Sequence, residues 1–175
     1  MPAVRTAAAL VTTATSVIGL GAPARDAGAV VDDVEDLHCV VDIVGKDASG
    51  QYLTEAPVCY PTLAEALSES GPSVAEASSA RSSSASSVMA FTLATHFINF
   101  NQGGGSLSYS GNACDGGYVN LPTGWEARLS STANNCPNVI FFSGYSKGGA
   151  SEATGPGLHN LGALNDASYS VSYNL

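Results

Sequence analysis

A Gly-rich segment occurs twice in the C-terminal part of this chain, at residues 97–106 and again at residues 142–151. A second matching stretch follows each copy, at residues 124–131 and 163–170, and the first copy holds an extra stretch around residues 114–117. The aligned pairs are Phe97 with Phe142, Phe100 with Tyr145, Trp125 with Leu164, and Ser131 with Ser170. A duplicated unit of this kind predicts two copies of one β motif packed against each other.

Tight β turns explain why these residue types recur together. Glycine adopts positive φ at little steric cost where the chain doubles back. An aromatic ring near the turn covers it, and a serine hydroxyl closes it with a local hydrogen bond. Two such motifs that exchange strands would form one wedge-shaped sandwich. The alternative is a Gly-rich β domain with two unrelated hairpins.

Short apolar segments separated by Gly-rich turns indicate the strands of this domain. We expect strands near residues 91–100, 106–110, 118–121, 139–142 and 168–173. Several short strands with turns of this composition are typical of an all-β sandwich. Trp125 is expected to anchor the core, because a buried indole covers a large apolar area. Stacking of Trp125 on a carbohydrate is the alternative.

A smaller unit is expected before the sandwich. It combines a hairpin, whose second strand is an edge strand because Pro57 interrupts it, with a helix that opens on the capping-box spacing of Thr62 and Glu65. The stretch that follows is dominated by Ser and Ala, and this composition indicates a linker. The expected layout is a hairpin-plus-helix unit at residues 37–71, a linker at 72–88 and the β domain at 89–175.

The N-terminus has the layout of a secretory signal. Arg5 precedes an apolar, uncharged run at residues 7–20, and small residues follow at 22–24. We expect a signal peptide at residues 1–24, with cleavage near residue 24 or 29; a buried N-terminal helix is the alternative. The run is too short for a membrane span of about 20 residues. The sequence therefore predicts a secreted, extracellular protein without a membrane span.

Four cysteines form an even set, as expected in an oxidising compartment. Three pairings are open. Sequence order favours Cys39–Cys59 and Cys114–Cys136, because a Ser-rich stretch separates the two pairs. A bridge that closes a loop of this length stabilises a fold by about 3 kcal/mol. Metal binding is the alternative, but the sequence has no C-x-x-C motif or Cys/His cluster.

The charge balance is strongly acidic, with a formal net charge of −9. Nucleic acids are bound through Lys and Arg, so this balance argues against a nucleic-acid partner. An excess of acid is typical of a protein that stays soluble.

These turn motifs carry a resemblance to a known family. Residues 97–173 are similar to the βγ-crystallin fold of secreted actinobacterial proteins, several of which are grouped with the family I36 peptidase inhibitors. The matching segments are the aromatic–Gly-Gly turns, residues 121–131 and residues 161–170. The resemblance implies a mainly β chain with a C-terminal sandwich of two Greek-key motifs. It also implies a non-enzymatic binding protein, specifically a proteinase inhibitor.

The same resemblance raises the question of calcium. Many βγ-crystallin domains bind Ca²⁺ through two acidic or amide residues, two spacers and Ser/Thr-Ser, which supply the oxygen ligands of a hard cation. Asn165 and Asp166 match in the second copy and Ser130 matches in the first, so these three residues are the metal candidates. Each copy lacks at least one ligand, because Tyr169 and Ala127 stand at ligand positions. We therefore expect weak calcium binding at one site or none, and no other cofactor.

One motif is typical of an enzyme. Residues 144–148 fit G-x-S-x-G, which would make Ser146 a nucleophile with His159 and Asp166 as partners. The elbow of such hydrolases leads into a helix, but the glycines after Ser146 disfavour helix. The order Ser, His, Asp also differs from that of the fold. A serine esterase is therefore kept only as a third alternative, and no role is assigned to His38 or His96.

An inhibitor would present a rigid loop to a protease cleft, since rigidity lowers the ordering cost of binding. The insertion that interrupts the repeat is the predicted inhibitory loop, with Asp115, Gly116, Gly117 and Tyr118 as its residues. The partner would be an extracellular protease. The alternative is a calcium-binding or structural extracellular βγ-crystallin protein without a protease target.

Overall fold

The computed structural model describes residues 34–69 and 90–175, and they form a mainly β protein, as predicted. The expected signal peptide and the expected linker lie outside the described residues. None of the described helices is long and apolar enough to cross a membrane. The strands are β1 (His38–Lys46), β2 (Tyr52–Thr54), β3 (Val58–Tyr60), β4 (Phe91–Phe97), β5 (Ser106–Gly111), β6 (Gly117–Asn120), β7 (Ser131–Asn134), β8 (Asn138–Phe142), β9 (Ser151–Thr154), β10 (Gly157–Asn160) and β11 (Ser170–Asn174).

The strands form two sheets, and each sheet includes one strand from the part of the chain that supplies the other sheet. We call residues 91–134 the first half and residues 138–174 the second half of the C-terminal part. The large sheet runs β10-β7-β4-β5-β1-β2, with β3 also paired to β1, and the small sheet runs β6-β11-β8-β9. Strand β10 of the second half pairs with β7 in the sheet that holds β4, β5 and β7 of the first half. Strand β6 of the first half pairs with β11 in the sheet of the second half.

The apolar core is built from both sheets. Its largest fully buried side chains include Tyr109, Tyr173, Phe141 and Leu93. Trp125 is 2% exposed and belongs to the same cluster, which agrees with its expected role as a core anchor. Burial of one such side chain stabilises a fold by about 1.5–3 kcal/mol.

The hairpin-plus-helix elements are joined to the large sheet. Strand β1 pairs in parallel with β5 over five residues, from His38 opposite Ser106 to Asp42 opposite Ser110. The sequence does not predict this pairing, because nothing local specifies a parallel neighbour so far along the chain. The unit is therefore continuous in hydrogen bonding with the C-terminal strands.

The two disulfides have the predicted partners, Cys39–Cys59 and Cys114–Cys136. Cys39 and Cys59 lie directly opposite each other on β1 and β3. Helix α1 (Leu63–Glu69) begins after the predicted cap, where the Glu65 nitrogen donates to Thr62 Oγ1 at 3.3 Å. The Thr62 hydroxyl in turn donates to the Glu65 carboxylate at 2.8 Å.

A short segment before β1, residues 34–37, forms a strap over the start of β5. The Gly105 nitrogen donates to Glu35 O at 2.6 Å, and the Ser106 nitrogen donates to Leu37 O at 2.8 Å. Val34 is fully buried, and Glu35 forms an ion pair with Arg128. The strap therefore connects the N-terminal elements to the loop that precedes β7.

Candidate functional site

The two hairpin turns that the repeat predicts are similar in detail. Each contains a short 3-10 turn, Phe100–Gln102 in the first half and Tyr145–Lys147 in the second. Asn101, Gln102, Ser146 and Lys147 all adopt positive φ, which is uncommon for residues other than glycine. Both turns are therefore strained backbone segments that need support from the rest of the fold.

Ser131 and Ser170 give that support at equivalent positions. The Gln102 nitrogen donates to Ser131 Oγ at 3.0 Å, and the Ser131 hydroxyl donates to Asn99 O at 2.6 Å. The Lys147 nitrogen donates to Ser170 Oγ at 3.1 Å, and that hydroxyl donates to Gly144 O at 2.7 Å. The role expected for these serines, closing the hairpins, agrees with these contacts.

The three metal candidates lie together, at the place where the two halves meet. Ser130 Oγ lies 3.0 Å from Asp166 Oδ1 and 2.7 Å from the carbonyl oxygen of Ile98. The Asn165 amide nitrogen donates to the second carboxylate oxygen of Asp166 at 3.0 Å. Asn165 Oδ1 is buried and has no hydrogen-bond partner among the described residues. The cluster thus combines a hydroxyl, a carbonyl, a carboxylate and an unsatisfied amide oxygen.

The oxygen atoms of this cluster are suited to bind a hard cation with modest affinity. The Ser130 hydroxyl has one proton, so it cannot satisfy the Ile98 carbonyl and the Asp166 carboxylate fully at the same time. A calcium ion takes oxygen ligands of these three kinds. The site has only one carboxylate, and the described residues contain no group of three or more His, Cys, Asp or Glu that could hold a metal. Low ligand charge predicts weak binding.

The place that the repeat relates to this cluster has no such ligand set. Ala127, at φ 53°, stands where Asp166, at φ 51°, stands in the other loop. Tyr169 replaces Ser130: both backbone nitrogens donate to the end of the neighbouring strand, at Phe142 O and Phe97 O respectively. The Tyr169 ring packs edge-on against Tyr145, with 5.4 Å between the ring centroids. Aromatic packing thus occupies the position of the ligands.

The predicted inhibitory loop is held from several sides. Lys46 Nζ lies 2.7 Å from Asp115 Oδ2, the Tyr52 hydroxyl donates to Asp115 Oδ1, and the Gly116 nitrogen donates to Tyr173 O at 2.8 Å. Asp115 is exposed and Gly116 partly so, but Gly117 and Tyr118 are buried in β6. Only the first two of the four named residues are therefore accessible to a partner.

The pKa shifts of Asp115 and Tyr52 agree with these contacts. Partial burial alone would raise the pKa of the Asp115 carboxyl, but hydrogen bonds from Lys46 and Tyr52 outweigh it, and the pKa lies below its ordinary value. Burial, followed by the hydrogen bond to Asp115, raises the pKa of the Tyr52 phenol. Asp115 is thus an ionised anchor. A cavity of about 190 Å³ lies beside it, lined in part by Ile43, Asn112 and Ala113.

The residues of the G-x-S-x-G motif are placed in a hairpin. Ser146 lies in the turn between the antiparallel strands β8 and β9, and its nitrogen is bonded to Asn120 Oδ1 at 2.8 Å. His159 Nε2 lies 3.2 Å from Pro156 O, and Asp166 is bonded to Ser130 and Asn165. Within the described part of the chain, no hydrogen bond joins any two of Ser146, His159 and Asp166.

A buried histidine is the polar residue that the sequence does not single out. His96, on β4, is fully buried and bonded through both ring nitrogens, to Thr132 Oγ1 and to the Tyr173 hydroxyl at 2.9 Å each. Burial lowers its pKa from 6.5 to about 3, so the imidazole is neutral. The sequence signal that could have identified it is its place in a run without Asp, Glu, Lys or Arg, Phe91–Phe97, in which every residue proves to be buried.

Comparison with known proteins adds no assignment. No protein family, no curated protein and no solved structure matches this chain.

Proposed function

We propose that this chain is a secreted, non-enzymatic binding protein of the βγ-crystallin kind, and that it binds one calcium ion at Asp166, Ser130 and Ile98 O. The observation that carries the proposal is the meeting of Ser130 Oγ with Asp166 Oδ1 and with the Ile98 carbonyl, at 3.0 and 2.7 Å. These groups come from both halves. A cation bound by these three oxygens would end the competition of two acceptors for the single Ser130 proton, and such oxygens are the ligands that calcium prefers.

The strand exchange supports the architecture in this proposal. One strand of each half pairs in the sheet of the other half, β10 beside β7 and β6 beside β11. Two interlocked Greek-key motifs require this kind of reciprocal pairing. The similar turns, with four residues other than glycine at positive φ in equivalent positions, support the same reading.

Secretion is supported by covalent chemistry. All four cysteines are paired, and disulfides persist mainly in oxidising compartments. The non-enzymatic character is supported by the separation of the motif residues Ser146, His159 and Asp166, each of which has other hydrogen-bond partners. Hydrolysis of a soluble ester that is lost in Ser146→Ala would contradict it.

A calcium titration followed by thermal unfolding tests the proposal. Free calcium at a hundredfold excess over Kd stabilises the folded state by about 2.7 kcal/mol, which raises Tm by about 5–10 °C for a chain of this size. We expect this rise in the wild type, its reversal by chelator, and its loss in Asp166→Asn. Glu126→Gln is the matched control, because Glu126 lies in the equivalent loop of the first half and bonds to Gly124 and Tyr145 instead. An unchanged Tm at 10 mM calcium would refute the proposal.

Protease inhibition is the second candidate function, and the fixation of the Asp115 loop favours it. The disulfide Cys114–Cys136, the Lys46 ion pair and the Tyr52 hydrogen bond hold the loop, while Asn112, Ala113 and Asp115 stay exposed. A fixed loop binds with less loss of conformational entropy. A protease panel against the wild type and Ala113→Arg tests it. If the wild type inhibits a protease and Ala113→Arg does not, the result supports this loop as the inhibitory segment. Absence of inhibition across the panel refutes this function.

A further inference from the structure

Two tyrosine rings form a corner at the surface of the turn between β8 and β9. Tyr145 lies in that turn, and Tyr169 directly precedes β11. The rings pack edge to face, with 5.4 Å between their centroids and 76° between their planes. Tyr145 is 53% exposed, and Tyr169 is partly buried. The corner therefore presents aromatic surface to the solvent.

A carboxylate is fixed beside the two rings. The Tyr145 hydroxyl donates to Glu126 Oε1 at 3.1 Å, and the Gly124 nitrogen donates to Glu126 Oε2 at 2.9 Å. In the part of the chain that the structure describes, Glu126 forms no ion pair. We call Tyr145, Tyr169 and Glu126 the aromatic corner. It contains one negative charge that no cationic side chain of the described residues pairs with.

The backbone on both sides of the aromatic corner is held in place. Ser146 and Lys147, which follow Tyr145, adopt positive φ, and each of their backbone nitrogens is bonded to a side chain of β6 or β11. The Tyr169 nitrogen donates to Phe142 O at 2.8 Å. A site that is ordered before its ligand arrives loses less conformational entropy on binding.

Electrostatics favours a cation at the aromatic corner. The face of an aromatic ring carries partial negative charge and attracts positively charged groups. Glu126 adds a full negative charge, and the chain has a formal net charge of −9. The cations closest to the corner in sequence have other partners. Lys147 Nζ lies 4.9 Å from the centroid of the Tyr118 ring, and Arg128 is paired with Glu35.

The hydrogen bonds already present determine which kind of cation fits. Both carboxylate oxygens of Glu126 accept a donor from the protein. A primary ammonium brings three N–H donors, and each donor that leaves water without gaining an acceptor costs free energy. A quaternary ammonium has no N–H group and is bound by aromatic faces. The contacts therefore favour a quaternary ammonium over a lysine-like amine.

We propose that Tyr145, Tyr169 and Glu126 form a binding site for a quaternary ammonium group, such as the trimethylammonium of choline. The methyl groups pack against the two rings, and Glu126 attracts the positive charge without a direct hydrogen bond. The site uses none of the calcium ligands and no residue of the Asp115 loop. Its test is therefore independent of the functions proposed above.

The exposure of the rings sets the expected affinity. Cation–π contacts at exposed sites are individually weak and become stronger only when the cation is desolvated. We therefore expect a dissociation constant for choline in the millimolar range. Loss of one ring or of the carboxylate should weaken binding about fivefold.

The equivalent turn of the first half supplies a matched control. Phe100, at the position of Tyr145, is 50% exposed. Ser130 and Asn165 stand at the positions of the second tyrosine and of the glutamate. Phe100→Leu therefore removes an aromatic ring of similar exposure without changing the aromatic corner.

An NMR titration of the wild type with three matched probes tests the proposal without any variant. Choline carries the quaternary ammonium, ethanolamine carries a primary ammonium in its place, and the neutral isostere of choline carries a tert-butyl group. We expect choline to shift the ring resonances of Tyr145 and Tyr169, and the other two probes to bind at least about fivefold more weakly. Equal binding of choline and its neutral isostere, or no shift at about 100 mM choline, would overturn the proposal.

Variants then locate the site. We expect Tyr145→Leu and Glu126→Gln each to weaken choline binding about fivefold, and Phe100→Leu to retain the wild-type dissociation constant. Equal weakening by Phe100→Leu and Tyr145→Leu would mean that choline binds exposed rings in general, and the proposal would fail. The calcium-dependent rise in Tm should persist in Glu126→Gln, which separates the two sites.

Vesicles distinguish two sources of the same head group. Co-sedimentation with phosphatidylcholine vesicles that excess choline reverses would assign the ligand to a lipid surface. Choline binding without co-sedimentation would assign it to a free solute, and either result supports the site. Equal co-sedimentation with vesicles of phosphatidylcholine and of phosphatidylethanolamine, which carries a primary ammonium, would contradict selection of the quaternary group.

Discussion

Asn160 Oδ1 accepts a 2.8 Å hydrogen bond from the backbone nitrogen of Asn101, although one residue ends β10 of the second half and the other lies in the turn of the first half. Asn120, at the end of β6, does the same for Ser146 of the second half, also at 2.8 Å. Each exchanged strand therefore ends in an asparagine that holds the strained turn of the other half. The exchange of strands and the geometry of the turns depend on each other.

Replacement of these asparagines tests that dependence. We expect Asn160→Ala and Asn120→Ala each to lower the free energy of unfolding by about 1–2 kcal/mol, because each leaves a backbone nitrogen of a strained turn without its acceptor. Urea unfolding at pH 7 measures the change. Asn112→Ala, in an exposed loop, is the control and should stay within about 0.5 kcal/mol of the wild type. Equal effects at positions 112 and 160 would contradict the interpretation.

Gly105→Ala should detach the strap at residues 34–37. A Cβ at this position would overlap the carbonyl oxygens of Val34 and Leu37. We expect the free energy of unfolding to fall by about 1–3 kcal/mol, as at other overpacked sites. We also expect faster hydrogen exchange at the backbone amide of residue 105, which in the wild type donates to Glu35 O. Gly155→Ala is the matched control, since a Cβ there meets no atom within 4 Å. Wild-type exchange rates in Gly105→Ala would mean that the strap stays in place.

A second calcium site should be obtainable by copying the proposed one. In Ala127→Asp/Tyr169→Ser, the carboxylate and the hydroxyl occupy the positions equivalent to Asp166 and Ser130. We expect the calcium stoichiometry, measured by isothermal titration calorimetry, to rise from one to two. Tyr169→Ser alone should leave it at one, because the added carboxylate is absent. A stoichiometry of one in the double variant would show that the two loops are not equivalent as ligand carriers.

The Lys46–Asp115 pair should contribute modestly and with a defined pH dependence. Its side chains are 33% and 44% exposed, so solvent screens the pair and about 1 kcal/mol or less is expected from a double-mutant cycle of Lys46→Met and Asp115→Asn. The Asp115 pKa is lowered in the folded state. The contribution is therefore present above the ordinary pKa of 3.8 and is lost as the pH falls through the lower folded value. A coupling energy unchanged in 1 M salt would contradict an exposed ion pair.

Sequence patterns predict the apolar strands and miss the polar ones. Strands β4, β5, β8 and β11 coincide with predicted apolar segments, because Phe, Val, Ile and Tyr favour extended, half-buried backbone. The same patterns do not predict strands β7, β9 and β10. Their residues are Ser-Thr-Ala-Asn, Ser-Glu-Ala-Thr and Gly-Leu-His-Asn, which show no apolar alternation. These strands form because neighbouring strands offer backbone partners, and that information is not local.

In the candidate site, too, the residues are predictable from the sequence but their arrangement is not. Asp166, Asn165 and Ser130 are identifiable from the repeat, but in sequence they belong to different copies, each incomplete. Only the exchange of strands brings Ser130 beside Asp166. His96 belongs to no sequence motif. Its hydrogen-bond partners Thr132 and Tyr173 lie 36 and 77 residues away, so no local pattern indicates them.

The placement of the two disulfides has a consequence for how the chain matures. Each bridge joins cysteines only 20 or 22 residues apart, and both cysteines of the second bridge precede β8. Short separations make the correct partner the nearest one available to each thiol as the polypeptide emerges. Oxidation can therefore proceed from the N-terminus onward, and the covalent framework is complete before the last interlocking strand has been delivered.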